Sequence, residues 1–149
     1  LAGAAQGAIF NLSATLDGAQ EVPPVATPAT GSASAVVDDV LNTIVITGSY
    51  SGLIGSQPFG HLHGLAPVGA NAGVILNLTV VGEPNGTFSG NGTLTPTQIA
   101  GVLNGDSYIN IHSSFAPGGE IRGQLFVPEP GTASLLLGAG ALVLRRRRR

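Results

Sequence analysis

DSYINIHSSFAPGGEIRGQ, residues 106–124, is the stretch that decides the fold. In its first part polar and apolar side chains alternate, as they do in a β-strand with two different faces. The centre, APGG at 116–119, favours a turn, because proline fixes one φ angle and glycine permits positive φ. After the turn, Glu120, Arg122 and Gln124 share one face of a second strand. The stretch therefore predicts a β-hairpin.

The rest of the chain favours short strands separated by turns. There are 23 glycines and 10 prolines among 149 residues, and only 9% of the residues are charged. Alternating or apolar runs predict further strands at 8–16, 31–38, 42–50, 57–64, 74–81 and 87–89. The run at 74–81 is nearly continuous apolar, which predicts a central, buried strand.

One short helix is expected among these strands. Thr95 followed by Pro96 is typical of a helix start, and Asn104-Gly105 is typical of a helix end. The helix is therefore predicted near 96–103. Together these elements predict an all-β Greek-key β-sandwich of about eight short strands with one short helix.

Charge and cysteine content exclude several classes of function. The formal net charge is −2, but five of the six basic residues form the terminal run 145–149. The folded part is therefore acidic and lacks a basic patch, which argues against nucleic acid as a partner. The chain has no cysteine, which excludes disulfides, thiolate metal sites and a cysteine nucleophile.

Both ends of the chain have the character of targeting segments. Residues 1–7, LAGAAQG, are similar to the end of a secretory signal peptide, the alternative being an ordinary flexible N-terminus. At the other end, an apolar run at 132–144 precedes the five arginines. Its 13 residues are fewer than the ~20 that cross a bilayer unaided, so we expect a hydrophobic helix that inserts transiently.

The order of features at the C-terminus closely resembles the PEP-CTERM sorting signal. The motif is Val127-Pro128-Glu129-Pro130, followed by the apolar run and the arginines. The resemblance implies an exosortase-type processing enzyme as a partner. It also implies delivery to the cell envelope, the cell surface or the exterior, with the C-terminal segment in the inner membrane before processing. The alternative is a plain membrane anchor or an amphipathic tail.

Four motifs between these ends together resemble the CHRD domain, which is named after chordin. They are ATLDGAQEVPPV at 14–25, HLHG at 61–64, Leu94-Thr95 with Gln98, and YINIH at 108–112 with GEIRGQL at 119–125. The resemblance covers about residues 9–126. It implies an extracellular β-sandwich and no established catalytic activity. The expected organisation is a signal-peptide remnant at 1–7, a CHRD domain at 8–127 and a sorting tail at 128–149.

The three histidines form a candidate metal site. His61 and His63 lie two residues apart on a predicted strand, so both rings share one face. His112 adds a third imidazole if its strand is a neighbour of theirs. Neutral imidazole is a good ligand for copper or zinc, and three rings would leave one coordination position open. The alternative is that the rings hydrogen-bond to nearby polar groups and form a polar core.

The two β segments around the histidine pair are also similar to Cu/Zn superoxide dismutase, another Greek-key sandwich. That enzyme needs more than three imidazoles and an aspartate to hold two metals, and its disulfide has no counterpart here. Dismutase activity is therefore not expected. A separate prediction concerns Glu120 and Arg122, which should form a structural ion pair that ties down the 23–24 loop through Glu21.

Three hypotheses for the function follow. The first, which we favour at this point, is a non-catalytic binding or matrix module for extracellular polysaccharide or other surface proteins. The second is a copper- or zinc-binding domain that uses His61, His63 and His112. The third is an extracellular hydrolase, for which no pair of carboxylates stands out in the sequence.

Overall fold

The computed structural model describes residues 7–128, and in it eight antiparallel strands form one closed barrel. The elements in chain order are β1 (Ile9–Asp17), β2 (Thr30–Asp38), β3 (Thr43–Ser51), β4 (Phe59–Gly64), β5 (Val74–Val81), β6 (Gly86–Thr93), α1 (Pro96–Leu103), β7 (Ser107–His112) and β8 (Ile121–Gln124). Around the barrel the order is β1-β2-β3-β6-β5-β4-β7-β8. The expectation of an all-β domain with one short helix is confirmed.

The predicted Greek-key sandwich is wrong, because the sheet has no open edge. Strand β8 pairs with β1 at Asp17 and Arg122, and a bridge between Ser13 and Phe126 extends this seam. The two strands approach closely, since a Cβ atom at Gly123 would collide with the carbonyl oxygen of Thr15. Glycine at this position permits the contact that turns the sheet into a barrel.

The helix begins as the sequence predicts. The hydroxyl of Thr95 accepts a hydrogen bond from the backbone N–H of Gln98 at 3.2 Å, and the Gln98 side chain accepts one from the Thr95 N–H at 2.9 Å. This reciprocal pair is a capping box, and it satisfies two N–H groups that the helix start would leave free.

Apolar side chains from alternate strand positions fill the barrel. Among the fully buried ones are Leu16, Ile44, Leu62, Ile109 and Ile121. On β1, β2 and β3 the other face is largely exposed. The alternation in the sequence therefore matches the alternation between core-facing and solvent-facing side chains.

Strand β5 differs from its prediction as a buried strand. It pairs with β4 and β6, but the side chains of Val74 and Val81 are 51% and 63% exposed, and Leu78 is its one buried residue. The apolar run predicted burial wrongly because Val74 and Val81 lie on the surface, open to solvent.

Strands β7 and β8 are buried on both faces. Their inner face belongs to the barrel core, and their outer face is covered by irregular loops. Glu120, just before β8, binds the loops through both carboxylate oxygens. Its donors are the Thr27 hydroxyl at 2.8 Å, the backbone N–H groups of Ile54 at 2.7 Å and Gly55 at 3.3 Å, and the Ser113 hydroxyl.

Two predicted segments lie outside the described residues. They are most of the signal-peptide remnant at 1–7 and the hydrophobic helix expected over the apolar run 132–144. Within 7–128, the structure contains no helix with the length and apolar character needed to cross a membrane.

Replacing Glu120 with glutamine should lower the free energy of unfolding at pH 7 by about 2–4 kcal/mol, because hydrogen bonds to a charged group are lost from a buried position. Burial alone would raise the pKa of Glu120, but its hydrogen bonds from Ile54, Ser113 and Thr27 outweigh burial and lower it. The stabilisation is therefore present above the unfolded-state pKa of about 4.3 and lost as the pH falls further.

Urea denaturation at pH 7 and at pH 3 measures this difference, with exposed Asp39→Asn as the matched control. The Glu120→Gln variant and the parent should converge in stability at low pH. A constant gap between them at both pH values would contradict a role for the charge.

Candidate metal centre

The three histidines come together on the outer face of two paired strands. β4 and β7 are antiparallel neighbours, with Phe59 opposite His112, His61 opposite Asn110 and His63 opposite Tyr108. His61 and His63 are two residues apart on β4, so they share a face, while Leu62 between them points into the core. The condition set by the sequence, that the strand of His112 is a neighbour of the first two, is met.

One nitrogen from each ring lies within 4.8 Å of the others. The shortest separation is 3.1 Å, between Nδ1 of His61 and Nε2 of His112. Two nitrogens bound tetrahedrally to one ion at usual metal–nitrogen distances would be about 3.3 Å apart. Small side-chain rotations would therefore bring the cluster to ligand spacing.

Backbone carbonyls fix two of the rings. Nδ1 of His63 lies 3.0 Å from the carbonyl oxygen of Ala72, and Nδ1 of His112 lies 3.0 Å from that of Pro117. A carbonyl can only accept, so in both neutral rings Nδ1 carries the hydrogen and Nε2 carries the lone pair. Carbonyl contacts of this kind orient histidine ligands in metal sites.

Nε2 of His63 is buried and has no hydrogen-bond partner within the described residues. The His63 side chain is 9% exposed. A buried polar atom without a hydrogen bond lowers the stability of the fold by about 1–3 kcal/mol, so such atoms are rare unless they have another role. An unshared lone pair on a ring that belongs to a cluster of three imidazoles is what a metal ligand requires.

The rings are held in the neutral form. Burial lowers the pKa of His61 and of His63, and it lowers the pKa of His112 to about 4. For His112 the hydrogen bond to Pro117 acts in the opposite direction, and the nearby His61 and His63 add to the lowering. Neutral imidazole is the ligand form, so no proton has to leave at neutral pH.

Aromatic rings flank the cluster on two sides. Phe59 stacks on His112 at 4.5 Å between ring centroids, and Tyr108 stacks on His63 at 4.9 Å. The guanidinium carbon of Arg122 lies 3.4 Å from the centroid of the Tyr108 ring. Sequence reasoning missed Phe59, although its position two residues before His61 places it on the same face.

Arg122 is buried, so its charge requires several polar partners. Its hydrogen bonds run to the carbonyl of Ala70 at 2.9 Å, to Oδ1 of Asn71 at 3.2 Å and to Oε1 of Gln124 at 3.3 Å. Within residues 7–128 these differ from the partners of Glu120, so the predicted pair of Glu120 and Arg122 shares no hydrogen bond there. The opposite charge next to Arg122 is Glu21.

Glu21 is a buried carboxyl at the edge of this face. Burial raises its pKa to about 7, while Arg122 and a hydrogen bond from Asn110 act to lower it. Its Oε1 atom has no partner within the described residues, and neither has Oδ1 of Asn110. Glu21 is not part of the cluster of nitrogens within 4.8 Å.

Comparison with known proteins identifies two regions. The family model for the CHRD domain matches residues 12–125, and the model for the PEP-CTERM protein-sorting motif matches residues 126–149. Both resemblances drawn from the sequence are confirmed. The sequence has no significant match among curated proteins.

In the metal-free protein, the His112 imidazole should titrate near pH 4 rather than near its ordinary pKa of about 6.5. Because the unfolded chain binds this proton at higher pH than the folded one, His112 removes stability as the pH falls from about 6.5 to 4. The parent should therefore lose stability relative to a His112→Gln variant over this range.

Imidazole chemical shifts in NMR spectra, together with urea denaturation at pH 7 and pH 5, test this behaviour. A midpoint near 6.5 for His112, or an unchanged stability difference between parent and variant, would show that the ring is not buried in the neutral form.

Proposed function

The chain belongs to the CHRD domain family, and we propose that its barrel binds one copper or zinc ion through His61, His63 and His112. The observation that carries the proposal is the convergence of three neutral ring nitrogens within 4.8 Å. Two of the rings are already oriented by the carbonyls of Ala72 and Pro117. Copper and zinc are the ions that such a set of imidazoles suits.

The protein is delivered to the cell envelope or surface, and an exosortase-type sorting enzyme processes its PEP-CTERM motif. Before processing, its C-terminal segment is anchored in the membrane. The proposed ion would accordingly be bound by a domain at the cell surface or beyond it.

A purely structural polar core is the competing explanation for the three histidines. In such a core each ring nitrogen would have a hydrogen-bond partner, as most buried polar atoms do. His61 and His112 satisfy each other at 3.1 Å, and both remaining Nδ1 atoms bind carbonyls. Among the buried ring nitrogens, Nε2 of His63 has no such partner within the described residues, which favours a ligand over a polar core.

The proposed role is to bind a metal ion, and it involves no chemical reaction. It adopts the second hypothesis drawn from the sequence, a copper- or zinc-binding domain, in place of the binding or matrix module favoured there. A matrix role with polysaccharide or other surface proteins stays a prediction, as do the domain limits at 7/8 and 127/128. An extracellular hydrolase would need converging carboxylates, and the two buried ones, Glu21 and Glu120, make contacts to different groups.

The full chain, purified and incubated with copper or zinc and then desalted, should retain about one ion per molecule by elemental analysis. A His63→Ala variant should lose most of this metal, because it removes the nitrogen that has no other partner. Added metal should also raise the melting temperature of the parent and not that of the variant.

Asn77→Ala is the matched control, since Asn77 is exposed on β5 opposite His61 and is not part of the cluster. It should bind metal as the parent does. A parent that retains no copper or zinc, with an unchanged melting temperature, would refute the proposal.

Deleting residues 128–149 should abolish delivery to the surface, because the sorting motif matched at 126–149 is removed almost entirely. Surface labelling of cells that express the parent or the truncated chain measures the effect. Normal surface delivery of the truncated chain would contradict the role of the motif.

A further inference from the structure

The proposed site has only neutral ligands. The described residues contribute three imidazoles and no carboxylate oxygen to the cluster within 4.8 Å. A bound ion would therefore keep its whole formal charge, +1 for Cu(I) and +2 for Cu(II) or Zn(II). The charge of the ion decides how costly the complex is to bury.

Neither of the two neighbouring carboxylates compensates that charge. Glu120 directs its oxygens to donors in Thr27, Ile54, Gly55 and Ser113. Glu21 lies beside Arg122, so an ionised Glu21 offsets the charge of Arg122 and leaves that of the ion. A protonated Glu21 leaves the charge of Arg122 uncompensated as well, which further disfavours a second positive charge on the ion.

Two of the three rings are also largely shielded from water, while His61 is partly exposed. His112 is 6% exposed and His63 is 9% exposed, while the Phe59 ring covers one face of His112. In the Born description the cost of removing an ion from water grows with the square of its charge. Burial in neutral ligands therefore penalises Cu(II) and Zn(II) more than Cu(I).

The number of ligands also favours Cu(I) over the divalent ions. Zinc held by three imidazoles completes its tetrahedron with a fourth ligand from solvent, and Cu(II) favours tetragonal geometry with four or more ligands. The d¹⁰ ion Cu(I) is commonly three-coordinate and has no demand for a fourth donor. Three rings on two neighbouring strands, two of them held by loop carbonyls, match that requirement without a fourth ligand from solvent.

We propose that the cluster of His61, His63 and His112 is a site for monovalent copper, which it binds in preference to Cu(II) and Zn(II). This inference rests on the proposed function and adds to it the oxidation state of the ion. The Phe59 ring is assigned a positioning and shielding role, since it lies on His112 without offering a ligand atom.

Anaerobic competition between the full chain and the Cu(I) chelator bicinchoninate gives the Cu(I) affinity, and parallel titrations give those for Zn(II) and Cu(II). The expected result is one Cu(I) per chain, bound at least tenfold more tightly than either divalent ion. Equal or tighter binding of Zn(II) or Cu(II) would overturn the preference while leaving the metal site standing. Absence of binding by all three ions would overturn both.

A pair of aromatic variants tests the shielding. In Phe59→Leu, water and dioxygen reach the ion more easily, so air should oxidise bound Cu(I) to Cu(II) several-fold faster, as followed by the Cu(II) electron paramagnetic resonance signal. Phe115→Leu is the control, because Phe115 has similar exposure, 48%, and takes no part in the ring stacks found within residues 7–128. Equal oxidation rates in parent and Phe59→Leu, with both folded by circular dichroism, would contradict the shielding role.

Discussion

The outer face of the barrel depends on one constraint, the burial of two charged side chains at the start of β8. Glu120 and Arg122 are 0% and 2% exposed, and a charge at such a position is tolerated only with several partners. Those partners are loop groups from Thr27, Ile54 and Ala70, so the loops must lie where the charges need them. The result is a second, polar layer outside the apolar core.

This layer also fixes the histidines. The loop that supplies Ala70 to Arg122 continues to Ala72, whose carbonyl orients His63. The turn before Glu120 supplies the carbonyl of Pro117 to His112. The charges of β8 and the ring orientations of the cluster are therefore parts of one network, which joins the stability of the covering loops to the geometry of the nitrogens.

The strands and the helix could be predicted because each follows from local chemistry. Alternation with a period of two marks strands, and Thr95-Pro96 marks the helix start. Barrel closure could not be predicted, because alternation does not say which strands pair at the seam between Asp17 and Arg122. Likewise the histidine pair on β4 is visible in the sequence, whereas the carbonyls that orient the rings come from irregular loops whose path no periodicity reveals. The exposure of β5 was misjudged since apolar residues alone do not show which face is covered.

The seam has a consequence for the order of events during export. It joins residues 13–17 to residues 122–126, the two ends of the domain, and the sorting motif follows at once. In a chain that emerges from its N-terminus, the last strand of the barrel therefore appears immediately ahead of the sorting motif. The barrel cannot close until this last strand has emerged. Cleavage of the chain beyond residue 127 would leave every strand of the barrel intact.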